Sequence, residues 1–138
     1  MKPKVAFLCT QNACRSQMAE AISRLFAGDA FIAYSAGTKE ESRINPDAVR
    51  TIKSIYNIDM EAEQQYPKRL TALPEDIDIL VTIGSNLDTS HTVATHREDW
   101  DIPDPKGKGD VEFRRVSQLI EDKVIDLKNR IVCGVIKL

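Results

Sequence analysis

Cys9 and Arg15 bracket the stretch Cys9-Thr10-Gln11-Asn12-Ala13-Cys14-Arg15-Ser16, and those two residue types at that spacing suit one chemistry, the attack of sulfur on a tetrahedral oxyanion. The thiolate is the nucleophilic form of cysteine. Arginine presents a planar, permanently charged fork that matches the oxygens of a phosphate-like group. The spacing alone is a weak signal, because a buried cysteine near a surface arginine satisfies it equally well. What strengthens it is position. The apolar run Val5-Ala6-Phe7-Leu8 reads as a short strand, and Met18, Ala19, Ile22, Leu25 and Phe26 recur at helical spacing until Gly28. The eight residues between therefore link a strand's end to a helix's N-terminus. Backbone N–H groups there lack intrahelical acceptors and converge on a concavity suited to an anion. Cys9 shares that positive field and is expected to be ionised at neutral pH. A fall in thiol pKa from about 8.5 to about 5 turns a few per cent of thiolate into nearly all.

The rest of the chain supplies the frame. Phe31 to Ser35 reads as a second strand, followed by a turn at Ser35-Ala36-Gly37-Thr38 and a polar connection from Lys39 to Ile44. Asn45-Pro46-Asp47 gives a cap, a proline in the first helical position and an acid in the first turn. The buried stripe of that helix is Val49, Ile52 and Ile55 or Tyr56. From Asp59 to Pro74 the chain is polar and irregular, with a short helical turn expected near Leu70 to Leu73. Ile77 to Ile83 is apolar enough for a central parallel strand ended by Gly84. Trp100 marks a fourth strand, and Pro103 and Pro105 fix the chain around Asp104. From Val111, the set Phe113, Val116, Ile120, Val124, Leu127 and Ile131 makes a long amphipathic helix. The expectation is a single α/β domain over residues 1–138, an open four-stranded parallel sheet with helices on both faces. Cys9, Ser35, Gly84 and Asp104 should gather at the carboxyl ends of its strands.

Composition narrows the function. With 19 Lys+Arg against 21 Asp+Glu the net charge is -2, so neither nucleic acid nor an anionic membrane is an expected partner. The apolar run after Met1-Lys2-Pro3-Lys4 is too short for a signal peptide, and no stretch reaches membrane-spanning length. Three cysteines, Cys9, Cys14 and Cys133, fit a reducing compartment better than a disulfide framework. A cytoplasmic monomer is expected. His91 and His96 lack the cysteine or carboxylate that would complete a metal set, so no metal centre is read from them.

The segment Cys9 to Glu20, CTQNACRSQMAE, with its loop so near the start of the chain, resembles the low-molecular-weight protein tyrosine phosphatase superfamily. Gln17 before Met18 is similar to the arsenate reductase branch, where phosphatases usually carry proline. Ser35-Ala36-Gly37-Thr38, Asn45-Pro46-Asp47-Ala48-Val49, Arg97-Glu98-Asp99-Trp100 and Asp104-Pro105-Lys106-Gly107-Lys108 resemble that branch too. Phosphatases generally place an aromatic residue after Asp-Pro, and here Lys106 stands there. Gln11 replaces the glycine usual in phosphatase loops, and some reductase-like relatives also carry a bulky polar residue there. One departure is larger: from Gly84 to Trp100 the chain has none of the relay cysteines of thioredoxin-coupled reductases. Ser85, Thr89 and Ala94 stand where those thiols would be.

The resemblance implies roles. Cys9 would attack arsenate or a phosphate monoester, Arg15 and the amides of Thr10 to Ser16 would bind its oxygens, and Asp104 would protonate the departing oxygen. Asn12, Ser16 and Ser35 would support the loop. Asn12, Glu20 and Ser35 resemble three ligands of a potassium site in some reductases, without a further carboxylate around Lys68. Alternatives remain open at several positions. Asp104 also fits a simple turn, with Asp101 as a rival acid. Cys14 is either the resolving thiol or an inert packing residue, and Cys133 reads as core or surface. Three functions follow: an arsenate reductase served by Cys14 or by an external thiol (thioredoxin, glutaredoxin or a low-molecular-weight thiol), a phosphatase of phosphotyrosine or small esters, or a non-enzymatic oxyanion or redox sensor. None needs a cofactor beyond a thiol reductant.

Overall fold

The structure is a computed structural model and describes residues 1–39, 41–84, 87–90 and 92–138. The elements run β1 (Lys4–Cys9), α1 (Arg15–Ala27), β2 (Ile32–Gly37), α2 (Pro46–Tyr56), one 3-10 turn (Leu70–Ala72), β3 (Ile79–Ile83), β4 (His96–Trp100) and α3 (Asp110–Val132). All four strands are parallel, in the order β2-β1-β3-β4. The most apolar runs take the centre, since only strands covered on both faces can afford no alternation. In register, Cys9 lies opposite Gly37, Leu8 opposite Thr82 and Ile83 opposite Trp100. The chain therefore leaves every strand at one rim, where ligands bind in such sheets.

The two faces of the sheet are covered unequally. Val5, Phe7, Ile79 and Val81 pack with Met18 and Ile22 of α1, Ala48 and Ile52 of α2, and Phe113, Val116, Ile120, Val124 and Leu127 of α3. The other face, with Ala6, Leu8 and Leu80, is closed by Leu70 of the 3-10 turn together with Leu73, Leu87 and Ala94. Phe7 anchors the larger core, its ring 5.4 Å from that of Trp100 and 6.3 Å from that of Phe31.

Several local expectations shift. β2 starts at Ile32 and continues through Gly37, so Ser35 and Ala36 belong to the strand rather than the turn. Phe31 is buried just ahead of it. β3 begins at Ile79, with Ile77 packed below the sheet before it. Leu25 faces solvent, whereas Phe26 packs edge-on to Tyr56 at 5.9 Å. Tyr56 accordingly takes the inward position on α2 and Ile55 is exposed. The N-terminus of α2 is capped as its sequence requires, with Asp47 N–H donating to Asn45 Oδ1 at 2.8 Å.

β4 is tied to α3 by ionic contacts as well as by Trp100 in the core they share. Glu98 accepts both guanidinium nitrogens of Arg130 at 2.8 Å, the Trp100 indole N–H at 2.8 Å, and lies 2.7 Å from His96 Nε2. The Arg130 bond, opposed by burial and aided by His96 and Trp100, holds the Glu98 carboxyl down to about 2. No helix among the described residues is long and apolar enough to cross a membrane.

Candidate active site

The loop between β1 and α1 is shaped by its carbonyls. Thr10 O accepts the N–H groups of Thr38 and Lys39 (both 2.8 Å), Ala13 O that of Asn45 (2.7 Å) and Cys14 O that of Met18 (2.9 Å), while Asn12 O accepts Gln17 Nε2 (3.0 Å). Among the described residues no peptide bond is cis. In a trans peptide N–H points opposite to C=O, so the amides of Gln11, Ala13, Cys14 and Arg15 turn away from these anchors. Acceptors tied into the protein and donors left over are what an anion site requires. Gly37 allows the close approach: a Cβ there would lie 2.8 Å from Thr10 O, Gln11 C and Asn12 N.

Asn12 is the strained residue of the loop, at φ 54, a left-handed conformation that asparagine tolerates better than most. Its side chain is held from both ends. Nδ2 donates to Ser16 Oγ (2.8 Å), and Oδ1 accepts the Lys68 N–H (2.8 Å) and Gln17 Nε2 (3.0 Å). Ser16 Oγ in turn lies 2.8 Å from Cys9 Sγ. With Asn12 occupying a lone pair of the hydroxyl, its own proton is free to point at sulfur.

A layer that sequence reasoning missed lies below. Gln17, fully buried, also donates to Tyr66 O (2.8 Å), and Gln65 Nε2 donates to Gln17 Oε1 (2.9 Å) and Gln17 O (3.1 Å). Ser35 donates to Glu20 Oε1 at 2.6 Å; Arg24 pairs with Glu20 Oε2 at 2.7 Å and Lys68 Nζ lies 3.8 Å from Oε1. Burial pulls the Lys68 ammonium below its usual range, against the pull of Glu20. Asn12, Glu20 and Ser35 thus lie in one buried network, Glu20 Oε1 accepting the Ser35 hydroxyl and Asn12 Oδ1 the Lys68 N–H.

Arg15 opens α1 and projects across the rim. Its Nη1 donates to Ile102 O at 2.6 Å, and its guanidinium lies against Gly84, where a Cβ would sit 3.1 Å from Nη1. Gly84 is at φ 92, so both backbone conformation and clearance call for glycine. Arg15 lines two adjoining cavities. The first, about 400 Å³, is walled by the loop residues Cys9 to Arg15 other than Asn12, by Glu41, Arg43, Ile44, Asn45 and Pro46, and by Asp104 and Lys106. The second, about 300 Å³, holds Thr10, Gly84, Asp99, Asp101 and Asp104. Asp104 therefore shares the cavity of Cys9 and Asp101 does not. Asp104 is exposed, its Oδ1 accepting the Lys106 N–H at 3.0 Å. Ser35 is buried under the loop and does not reach the rim.

Cys9 is only 5% exposed, at the base of its cavity. Cys14 lines the same cavity, but burial, with Asp104 and Cys9 nearby, pushes its thiol up to about 12. Cys133 is exposed just beyond α3. His96 serves Glu98, whereas Ser85 and His91 lie outside the described residues. Among the described residues no group of three or more His, Cys, Asp or Glu is placed to hold a metal.

Cys9, Arg15 and an Asp-Pro acid around one cavity at the rim of a β2-β1-β3-β4 sheet invite comparison with known proteins. The sequence matches the low molecular weight phosphotyrosine protein phosphatase family over residues 4–133. The chain belongs to this family. Its likeness is to the arsenate reductase branch: the chain is 38% identical to an arsenate reductase of Brevibacillus brevis over 126 residues, 89% of this chain and 92% of that one. A solved arsenate reductase in the phosphate binding state superposes with a TM-score of 0.81 at 30% identity, covering 95% of this chain and 99% of the other. A thioredoxin-dependent arsenate reductase of Corynebacterium glutamicum gives 0.70 at 25% identity, over 96% of this chain and 63% of its own. This member of the phosphatase family is thus an enzyme of reductase or phosphatase type with the open parallel sheet expected of it.

Proposed function

We propose that this protein is an arsenate-reductase-type enzyme in which the Cys9 thiolate attacks arsenate held by Arg15 and the loop amides. The observation that carries this reading is the lining of the Cys9 cavity, in which no aromatic ring stands among the described residues and Lys106 follows Asp104-Pro105. Such a wall suits a small, fully charged tetrahedral ion better than a phenyl ester, which gains from ring stacking. As the sulfur–arsenic bond forms, one arsenic–oxygen bond breaks. The departing hydroxyl leaves as water with a proton from Asp104. Ser16 hydrogen-bonds the sulfur, and Asn12 and Gln17 keep Ser16 in place. The resolving thiol comes from outside the chain, because Cys14 holds its proton too tightly and Cys133 does not line the cavity.

A phosphatase is the second reading, favoured by the placement of Asp104 in the cavity of Cys9, which Cys133 does not line and where the only other thiol among the described residues is the half-buried Cys14. Water would then hydrolyse the phosphocysteine with Asp104 as base. One assay separates the two: arsenite formation with added thiol against phosphate release from an aryl phosphate, each with wild type and Cys9→Ser. Arsenite production lost by at least about a thousandfold in Cys9→Ser, with weak aryl phosphate turnover, supports the reductase. The opposite ratio supports the phosphatase, and retained activity in Cys9→Ser removes both. Binding of arsenate or phosphate with neither reaction would leave an oxyanion sensor.

A further inference from the structure

We infer that Gln65 is a positioning residue for the reaction at Cys9: it holds Gln17 at the head of a one-way chain of hydrogen bonds whose last proton, that of Ser16, points at the Cys9 sulfur. The role rests on Cys9 being the nucleophile and is the same whether a thiol or water completes the reaction. The links run from the connection after α2 up to the loop. Gln65 Nε2 donates to Gln17 Oε1 (2.9 Å), Gln17 Nε2 to Asn12 Oδ1 (3.0 Å) and Asn12 Nδ2 to Ser16 Oγ (2.8 Å), and Ser16 Oγ lies 2.8 Å from Cys9 Sγ.

A flipped amide would exchange donor and acceptor at each of the first three links, so their direction has to be set by partners of fixed character. Backbone groups supply these. Gln65 Nε2 also faces Gln17 O (3.1 Å), a carbonyl that only accepts, so Gln65 presents its nitrogen there and Gln17 its side-chain oxygen. The Gln17 nitrogen meets two further carbonyls, Asn12 O (3.0 Å) and Tyr66 O (2.8 Å). Asn12 Oδ1 meets the Lys68 N–H (2.8 Å), which only donates. Asn12 therefore gives its nitrogen to Ser16, and Ser16 its proton to sulfur. Reversing any one amide would set donor against donor or acceptor against acceptor among side chains that are fully buried or, for Gln65, 7% exposed. Gln65 is the one donor to Gln17 Oε1 among the described residues. Without it that oxygen is either left unpaired in a buried site or draws the Gln17 amide away from Asn12. Hydrogen bonds aligned in one direction also polarise one another, which strengthens the last of them and favours the thiolate.

The chain of amides is neutral. Charged and titratable groups reach the sulfur from the cavity instead: Arg15, Cys14, Glu41, Arg43, Asp104 and Lys106. Glu20 lies to one side with Arg24 and Lys68. An uncharged substitution at Gln65 leaves all these charges in place and changes what the sulfur receives through Ser16.

The test measures the rate at which iodoacetamide alkylates Cys9 of the full chain as a function of pH, with the label located by fragmentation mass spectrometry. Only the thiolate reacts, so the midpoint reports the proton on sulfur. Ser16→Ala should raise that midpoint by about one pH unit, the worth of a hydrogen bond to a charged group. Gln65→Met and Gln65→Leu, which remove the donor with little change of volume, should each raise it by about half a unit. Combined with Ser16→Ala, either Gln65 substitution should add nothing, because its path runs through the missing hydroxyl. A midpoint within about 0.2 unit of wild type in a folded Gln65 variant, or a Gln65 shift that persists on top of Ser16→Ala, overturns the role. Retained turnover in Cys9→Ser would remove the nucleophile itself, an outcome distinct from either.

Discussion

Beneath Cys9, Asn12, Ser16 and Gln17 are fully buried and cross-bonded at 2.8–3.0 Å to one another and to Tyr66 and Lys68, whereas around its mouth Arg43, Asp104 and Lys106 are exposed and carry few contacts. The floor places a nucleophile and an anion, tasks in which a misplacement of one ångström costs a large factor in rate. The mouth has to pass a proton, admit a second reactant and let a product leave, and rigidity there would hinder all three. Arg15 belongs to both regions, since it begins α1 and bonds the Ile102 carbonyl two residues before Asp104.

That double membership makes Arg15 the sharpest place to break the contrast. Arg15→Lys keeps the charge but loses the planar fork and the bond to Ile102, and kcat/KM is expected to fall by about a thousandfold. A loss below tenfold would mean that point charge alone holds the anion. Asp104→Asn acts on the mouth only. Turnover should drop by roughly a hundredfold while phosphate binding, measured by calorimetry, and the urea midpoint stay put. A shifted midpoint would show Asp104 to be part of the frame.

Asn12→Ala acts on the floor. It leaves the Lys68 N–H without its acceptor, takes one partner each from the buried Ser16 and Gln17, and puts alanine at φ 54, at an expected cost of about 2 kcal/mol in urea unfolding. A stability within about 0.5 kcal/mol of wild type would show that the floor is not the rigid half.

What could be read from the chain before its folding is the part whose chemistry is local. Cys9 to Ser16 declares itself because nucleophile, fork and helix start must lie close in sequence, and the stripe of α3 because its period repeats from Phe113 to Ile131, over about five turns. The segment from Asp59 to Pro74 reads as irregular and is so, yet it delivers Gln65, Tyr66 and Lys68 to the underside of the loop across some fifty residues of sequence. Likewise, Glu41 and Arg43 look like a polar connection until the strand order puts β2 beside β1 and their loop against Cys9. Side chains acting through such distant pairs leave no periodic or spacing signal. Leu25 and Ile55, apolar at nearly helical spacing yet exposed, show the converse: periodicity marks a stripe but not its edges.

The smallest effect tests the frame farthest from the cavity. Glu98 titrates near 2 in the folded chain against 4.5 when free of partners, so its contribution is present above pH 4.5 and is lost as pH falls toward 2. The amount is on the order of 1–2 kcal/mol, allowing for solvent screening. Urea unfolding of wild type and Glu98→Gln across that window should converge toward acid; parallel curves would assign the pH dependence to other carboxylates.

The same clamp bears on how the molecule meets its neighbours. β4 is the outermost strand on its side, and its sequence His96-Arg97-Glu98-Asp99-Trp100 presents charge along nearly its whole length. Open strand margins are templates for adventitious pairing between chains, and charged, short ones resist it. By spending its acid on Arg130 and its indole on the core, this margin offers an incoming strand little to zip onto, which guards a concentrated solution of the folded chain against fibrous association.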